Sequence, residues 1–147
     1  MSITSTLLHT RWLVRAPIWL FRARLGFLFG GRMLLLEHTG RTTGRPRYVV
    51  LEAVEHPAPT RVVVASGFGI RSQWFQNLQA DQRCRVSIRR LHQVPAIART
   101  VTDEERAAIV ARYRSHHPRA YAELSGVTEE TVGLRIDEVP YVELTLR

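Results

Sequence analysis

Short apolar segments separated by turn residues constrain the fold of this chain more than any other feature. Six segments rich in Val, Leu and Ile have the length and composition of β-strands. They are 33–38, 47–55, 61–65, 85–90, 94–100 and 141–146. Residues 56–60 include two Pro and predict a turn. Because the strands have short, non-helical connections, a parallel doubly wound sheet is disfavoured, and the pattern predicts an antiparallel barrel.

Helical signals lie between and before these strands. Ser72 can cap a helix over 73–80, and Thr102 with Glu105 has the spacing of a capping box that opens a helix to about residue 115. A short helix from 118 to 124 begins with Pro. The predicted fold class is therefore mainly β with peripheral helices (α+β), with about six antiparallel strands.

The segment before the first strand has its own composition. Residues 3–29 read as helical, and Gly30 and Gly31 end the helix. We expect an N-terminal helical segment over 1–31 and a single barrel domain over 32–147. Within 9–32, Arg alternates with Trp, Phe and Leu, which predicts either an interfacial helix at a membrane surface or a helix that packs on the barrel.

The positive charge is concentrated in the first third of the chain. All 21 basic residues are Arg, and residues 1–47 hold eight of them with a single acid, Glu37. Residues 48–147 hold thirteen Arg and twelve acids. The first third is therefore expected to bind a phosphate, a polycarboxylate, nucleic acid or an anionic membrane surface.

Several classes of protein are disfavoured by what the sequence lacks. No apolar run approaches the roughly 20 residues of a membrane-spanning helix, and no signal peptide is recognisable. The single cysteine, Cys84, excludes a disulfide framework and is expected in a loop before a strand. The six His show no metal-ligand spacing. A cytoplasmic protein without a bound metal is the simplest expectation.

The segment 39–47, TGRTTGRPR, is the densest candidate site. Three Arg provide guanidinium donors for phosphate or carboxylate, and three Thr add hydroxyls. Its two Gly allow backbone N–H groups to face an anion. Because the Gly spacing is not that of a P-loop and no Lys follows, a nucleotide triphosphatase is disfavoured.

Two weaker candidates follow along the chain. Ser66 and Gly67 open a glycine loop after a Val-rich strand, where a flat ligand can approach the backbone. Trp74 and Asn77 lie three residues apart on one predicted helix. No general acid, base or nucleophile stands out in the sequence, which for an enzyme favours chemistry that a cofactor supplies.

Taken in order, these residues resemble the deazaflavin-dependent nitroreductase family of actinobacteria. The similar stretches are LLLEHTGRTTGRPR (34–47), VVVASGFG (62–69), QWFQNLQADQRCRV (73–86) and, more loosely, YRSHHPRAYAEL (113–124). The resemblance implies a split β-barrel that binds coenzyme F-420, an 8-hydroxy-5-deazaflavin with a phosphate and glutamate tail.

The resemblance also implies the cofactor site. The loop holds the phosphate and glutamate tail, the glycine loop borders the deazaflavin ring, and the helix after it closes over the tail. The cofactor-binding residues so implied are Arg41, Thr42, Thr43, Gly44, Arg45, Pro46, Arg47, Tyr48, Val49, Val50, Val64, Ala65, Ser66, Gly67, Gln73, Trp74, Phe75 and Asn77.

The sequence also departs from the family pattern. Thr42 and Gly67 stand where the family often has Lys, and His116, His117 and Tyr121 occupy a region where its nitro-drug reducers carry several Tyr. These three residues are the predicted substrate pocket, as hydrogen-bond donors to the developing anion.

The function expected from all of this is hydride transfer from reduced F-420 to a small electrophilic acceptor, namely a quinone, an enone or a nitroaromatic. Two alternatives stay open. One is an FMN-dependent oxidoreductase on the same fold, and the other is a non-enzymatic, Arg-rich module that binds nucleic acid or membrane. The short, Gly-rich basic loop argues against a nucleic-acid partner, because proteins that bind nucleic acids usually spread basic and aromatic residues over an open sheet.

The expected location is the cytoplasm, with peripheral contact at the inner face of the cell membrane.

Overall fold

A computed structural model describes residues 32–147. In this range the chain forms six β-strands and three α-helices, together with one short 3-10 turn at Gly69–Arg71. The strands are β1 (Met33–Thr39), β2 (Pro46–Ala58), β3 (Arg61–Ala65), β4 (Arg83–Ile88), β5 (Leu91–Thr100) and β6 (Tyr141–Leu146). The helices are α1 (Gln73–Ala80), α2 (Asp103–His116) and α3 (Pro118–Val132).

The six strands close into one barrel in the order β1-β2-β3-β6-β5-β4, and every neighbouring pair is antiparallel. The predicted antiparallel barrel with peripheral helices is therefore confirmed. The helical segment over 1–31 and most of the amphipathic stretch over 9–32 lie outside the described residues, so both stay predictions. Within 32–147, no helix is long and apolar enough to cross a membrane.

Alternation along the strands divides the core into two main layers. One set of alternating side chains, including Leu34, Leu36, Val62 and Val64, fills the barrel together with Trp74 and its neighbours on α1. The opposite face of β2, β3 and β6 packs against α2 and α3 through a second cluster. Helices α2 and α3 are thereby fixed beside the outer face of β2, which determines where the site forms.

Four local predictions are corrected by the structure. Strand β2 runs on to Ala58 instead of turning at residue 56, because a register shift between Glu55 and Ala58 in its pairing with β3 accommodates Pro57. Helix α3 extends to Val132 instead of 124 and ends at Gly133 in the left-handed conformation (φ +68°). The other two corrections concern Ser72 and Cys84.

Ser72 precedes α1 but its side chain makes no capping bond, and its hydroxyl lies 2.9 Å from the Ser66 hydroxyl. Cys84 lies inside β4 instead of a preceding loop. It is buried, its thiol contacts the Ala96 carbonyl oxygen at 3.6 Å, and burial raises its pKa to about 12. Cys84 is therefore a core residue and an unreactive thiol at neutral pH. The capping box of Thr102 and Glu105, by contrast, is confirmed.

Candidate functional site

A cleft of about 1450 Å³ lies along β2, between the β1–β2 loop, the glycine loop after β3, the start of α1 and the inner side of α3. Its floor includes four alternating residues of β2, namely Tyr48, Val50, Glu52 and Val54. Alternate residues of a strand share one face, so these four side chains form one row along the cleft. The cleft is thus built on a rigid strand and bounded by loops and helix ends.

The β1–β2 loop forms a closed turn with its guanidinium groups in solvent. The N–H of Gly40 donates to the carbonyl oxygen of Arg45 at 2.8 Å, and the N–H of Gly44 donates to that of Gly40 at 2.8 Å. Gly44 has a φ of +72°, and a Cβ on Gly40 would approach the Thr43 hydroxyl oxygen to 2.9 Å. Gly is therefore required at both positions, by conformation at one and by space at the other.

The buried amide of Asn77 ties this loop to helix α1. Its Oδ1 accepts hydrogen bonds from the backbone N–H of Arg41 at 3.1 Å and from Arg41 Nη1 at 2.8 Å. Because two donors fix Oδ1, the amide nitrogen must face His38 Nδ1, which lies 3.0 Å away. Asn77 thus holds the Arg41 guanidinium in one position at the cleft wall.

This geometry also determines the state of His38. The amide nitrogen of Asn77 can only donate, so His38 Nδ1 accepts and the ring is neutral with its proton on Nε2. Burial, and next the positive charge of Arg47, lower the pKa of His38 to about 4. The base of the loop is consequently uncharged at neutral pH, although its rim is cationic.

Arg41, Arg47 and Arg71 give one end of the cleft a positive charge, and we call this the cationic end. All three are exposed. No carboxylate of residues 32–147 forms an ion pair with them. Their charge is therefore available to an anionic ligand.

The glycine loop after β3 is closed against α3. The buried Ser66 hydroxyl contacts the Gly69 carbonyl oxygen at 2.6 Å and the Ser72 hydroxyl at 2.9 Å. A Cβ on Gly67 would meet Leu124 at 3.3 Å. Any side chain at Gly67 would therefore press into the wall of the cleft.

The other end of the cleft carries two carboxyl groups, Glu52 and Glu123, and we call it the acidic end. Tyr113 donates a hydrogen bond from its hydroxyl to Glu52 Oε1 at 3.1 Å. Burial raises the pKa of Glu52, and Glu123 adds to this, whereas Tyr113, Arg32 and His117 oppose it. Glu52 is five residues from Arg47 on β2, which corresponds to roughly 17 Å along an extended strand.

Comparisons with known proteins decide the family. The family model of the F-420H(2)-dependent quinone reductases matches residues 15–139. The chain belongs to this family. The predicted resemblance to deazaflavin-dependent reductases is thereby confirmed, and the chain is a reductase of the F-420-dependent class. No curated protein matches the sequence significantly.

Solved structures of low sequence identity show the same fold. An F-420H(2)-dependent reductase (FDR-A) is 24% identical, with a TM-score of 0.54, and the match covers 77% of this chain and 93% of that one. The heme storage protein HutZ from Vibrio cholerae is 14% identical, with a TM-score of 0.54 and coverage of 82% and 85%. An FMN-binding protein from Nostoc punctiforme is 16% identical, with a TM-score of 0.51 and coverage of 90% and 78%. The predicted split-barrel class agrees with these neighbours.

Most of the residues that are predicted to bind the cofactor lie along the cleft. They are Arg41, Thr42, Thr43, Pro46, Arg47, Tyr48, Val49, Val50, Ala65, Gly67, Gln73, Trp74 and Asn77. Five others do not line it. Gly44 and Arg45 are exposed in the loop, Val64 and Phe75 lie in the barrel core, and the Ser66 hydroxyl is engaged within its own loop.

The predicted substrate residues His116, His117 and Tyr121 do not line the cleft. His116 and His117 are exposed where α2 ends, and Tyr121 packs against Tyr113 with ring centroids 6.3 Å apart. The α3 residues that do line the cleft are Glu123, Leu124 and Val127, which are further along the helix. The three residues therefore lie outside the cleft, and their role in substrate binding stays a prediction.

Sequence reasoning missed three other lining residues that matter, His38, Glu52 and Arg71. Glu52 carried a usable signal, because it is an acid that alternates along β2 with Tyr48, Val50 and Val54. His38 and Arg71 are single residues at element ends, and no spacing identified them.

The site residues fit an elongated, partly flat anion. Arg41, Arg47 and Arg71 match a phosphate and carboxylates, and the row of Val50 and its neighbours offers an apolar surface to a ring. A side chain at Gly67 would crowd Leu124, which lines the same cleft.

Proposed function

We propose that this protein binds reduced coenzyme F-420 in the cleft along β2 and passes a hydride to a quinone-type acceptor bound beside the ring. The observation that carries the proposal is the polarity of the cleft, which is cationic at one end, apolar along β2 and acidic at the other end. Family membership supports the cofactor class and the acceptor class.

The cationic end is the proposed site of the phosphate and glutamate tail. Arg41 is already held by Asn77 before a ligand arrives, so less side-chain freedom is lost on binding. Arg47, with the hydroxyls of Thr42 and Thr43, extends the same surface. The neutral state of His38 keeps a buried positive charge out of the loop base, where it would repel the guanidinium of Arg47.

The middle of the cleft is the proposed site of the deazaflavin ring. Val49, Val50 and Ala65 provide an apolar surface, and Gly67 allows the ring to approach the backbone. When bound, the reduced deazaflavin supplies a hydride, which is two electrons and one proton. The residues of the chain fix the plane of the ring and exclude water from one of its faces.

The acceptor is proposed to lie between the ring and α3, against Leu124 and Val127. A quinone suits this position because its ring is flat and apolar, whereas its oxygens need polar partners at the edges. Enones and nitroaromatics share this chemistry and are weaker candidates.

The test is to measure cofactor choice and turnover with the purified protein. We expect F-420 fluorescence to change on binding, and F-420 absorbance to reappear when reduced F-420, protein and a soluble quinone are mixed. A protein that binds FMN but not F-420 would contradict the proposal and support the FMN alternative. A protein that binds F-420 but transfers no hydride to quinone, enone or nitroaromatic acceptors would leave only the cofactor site.

A further inference from the structure

We infer that Glu52 is the group that delivers a proton to the oxygen of the acceptor, with Tyr113 as its positioning residue. The inference rests on the proposed function, because it names the proton source for the same reaction.

The position of Glu52 is the first argument. It lies on the row of β2 residues that forms the cleft floor, on the strand that carries Arg47 at the opposite end. Glu52 and Glu123 are the two carboxyl groups that line the cleft among residues 32–147. A group at this end would meet the part of an acceptor that lies beyond the ring.

The hydrogen bond from Tyr113 is the second argument. The Tyr113 hydroxyl donates to Oε1 of Glu52, so that oxygen acts as an acceptor and a proton on the carboxyl belongs on Oε2. Among residues 32–147, the hydrogen bond from Tyr113 to this carboxyl group is made to Oε1 and not to Oε2. Tyr113 is buried and fixed on α2, and it thereby orients the carboxyl group.

The charges around Glu52 come from each neighbouring element. Glu123 faces it from α3, Tyr113 and His117 from α2 and its end, and Arg32 from the start of β1. Burial together with the like charge of Glu123 outweighs the three opposing groups, so the pKa of Glu52 is raised. A carboxyl group of this kind keeps its proton to a higher pH than a solvated Glu.

The chemical balance calls for such a group. Reduction of a quinone to a hydroquinone takes two electrons and two protons, and the hydride brings both electrons with one proton. The O–H bond of Glu52 breaks as an O–H bond forms on the acceptor. Glu52 is half-buried and therefore regains a proton from water. The overall balance is closed because oxidation of the reduced deazaflavin returns one proton to water.

The test compares Glu52→Gln with the matched control Glu55→Gln. Gln keeps the size of Glu52 and still accepts from Tyr113, whereas Glu55 lies on the same strand, binds Arg112 and does not line the cleft. We expect Glu52→Gln to bind F-420 normally and to lose about 100-fold in kcat with a quinone, the scale of a lost general acid. The fall of kcat with rising pH should also disappear, because that fall reports the deprotonation of Glu52. Glu55→Gln should keep the wild-type kcat and pH profile.

A second readout is independent of turnover. The infrared carboxylic-acid band of the protein without cofactor should titrate above the usual range of Glu, and Glu52→Gln should remove that component. If the band is unchanged in Glu52→Gln, or if the variant keeps the wild-type kcat and pH profile, the inference is overturned although the proposed function stands. If wild-type protein binds no F-420, the proposed function itself has failed.

Discussion

The two ends of the cleft are built in opposite ways. The cationic end comes mainly from one contiguous segment, residues 40–47, whose Gly, Thr and Arg are adjacent in the sequence. The acidic end brings together Glu52 on β2, Tyr113 on α2 and Glu123 on α3, which are separated by many residues along the chain. A ligand site encoded locally can be read as a motif, whereas a site assembled by packing becomes visible only in the folded chain.

The two ends of the cleft also differ in whether their charged groups are exposed or partly buried. At the cationic end, exposed guanidinium groups stand over a buried, neutral pair of His38 and Asn77. At the acidic end, a half-buried carboxyl group is itself in the cleft. The first arrangement is suited to binding a charged tail, and the second to holding a proton.

Removing the buried amide should have the largest effect on stability. Asn77→Ala leaves His38 Nδ1 and the Arg41 N–H without a partner, and we expect the free energy of unfolding to fall by about 3–4 kcal/mol. Gln79→Ala is the control on the same helix, because its amide is exposed and bonds to the exposed Thr100. It should cost less than about 0.5 kcal/mol in urea denaturation. Equal costs for the two variants would refute the role of Asn77.

Acid should lower the free energy of unfolding through His38, which lies at the base of the cationic end. His38 takes up a proton near pH 6.5 in the unfolded chain but only near pH 4 in the folded chain. Its contribution to the free energy of unfolding is therefore fully present above pH 6.5 and is lost as the pH drops to about 4. The loss from this group is at most about 3 kcal/mol. His38→Gln should flatten the curve over that window. Parallel curves for wild type and variant would show that His38 does not titrate in this way.

Loss of one exposed guanidinium should affect binding and leave the fold intact. Arg47→Ala should weaken F-420 affinity by about 1.5–3 kcal/mol, or roughly 10- to 150-fold, with little change in the melting temperature. Arg61→Ala removes the same charge from a residue that pairs with Glu143 and does not line the cleft. The F-420 affinity of Arg61→Ala should match that of wild type. An equal loss of affinity in both variants would mean that only the net charge matters.

The smallest effect on stability is expected for Tyr113, at the acidic end. Tyr113→Phe removes one hydrogen bond to Glu52 and should cost about 1 kcal/mol of stability. Because that bond lowers the pKa of Glu52, the variant should raise this pKa further. Tyr121→Phe is the control on α3, and a carboxyl titration compares the two. If Tyr113→Phe leaves the titration of Glu52 unchanged, the two groups are not coupled.

The sequence was sufficient for what depends on neighbouring residues. The sequence predicts the observed bounds of strands β3 and β6 and of helix α1, because turn residues mark their ends. It also predicts the capping box of Thr102, which depends on residues three positions apart. The loop over 40–47 was found for the same reason.

What failed depended on distant contacts. Strand β2 continues past Pro57 because β3 pairs with it across two register shifts, which no local signal announces. Helix α3 lines the cleft through Glu123, Leu124 and Val127, and the last of these lies beyond the predicted end of the helix at residue 124. His116 and His117 are conspicuous in the sequence but do not line the cleft, and their role in substrate binding stays a prediction.

The most direct test of the account is to compare F-420 with a deazaflavin that lacks the phosphate and glutamate tail, by fluorescence titration at low and high salt. We predict that the full cofactor binds at least about tenfold more tightly at low salt, and that added salt reduces this advantage because exposed charges are screened. Equal affinity of the two compounds at every salt concentration would contradict the assignment of the cationic end to the tail.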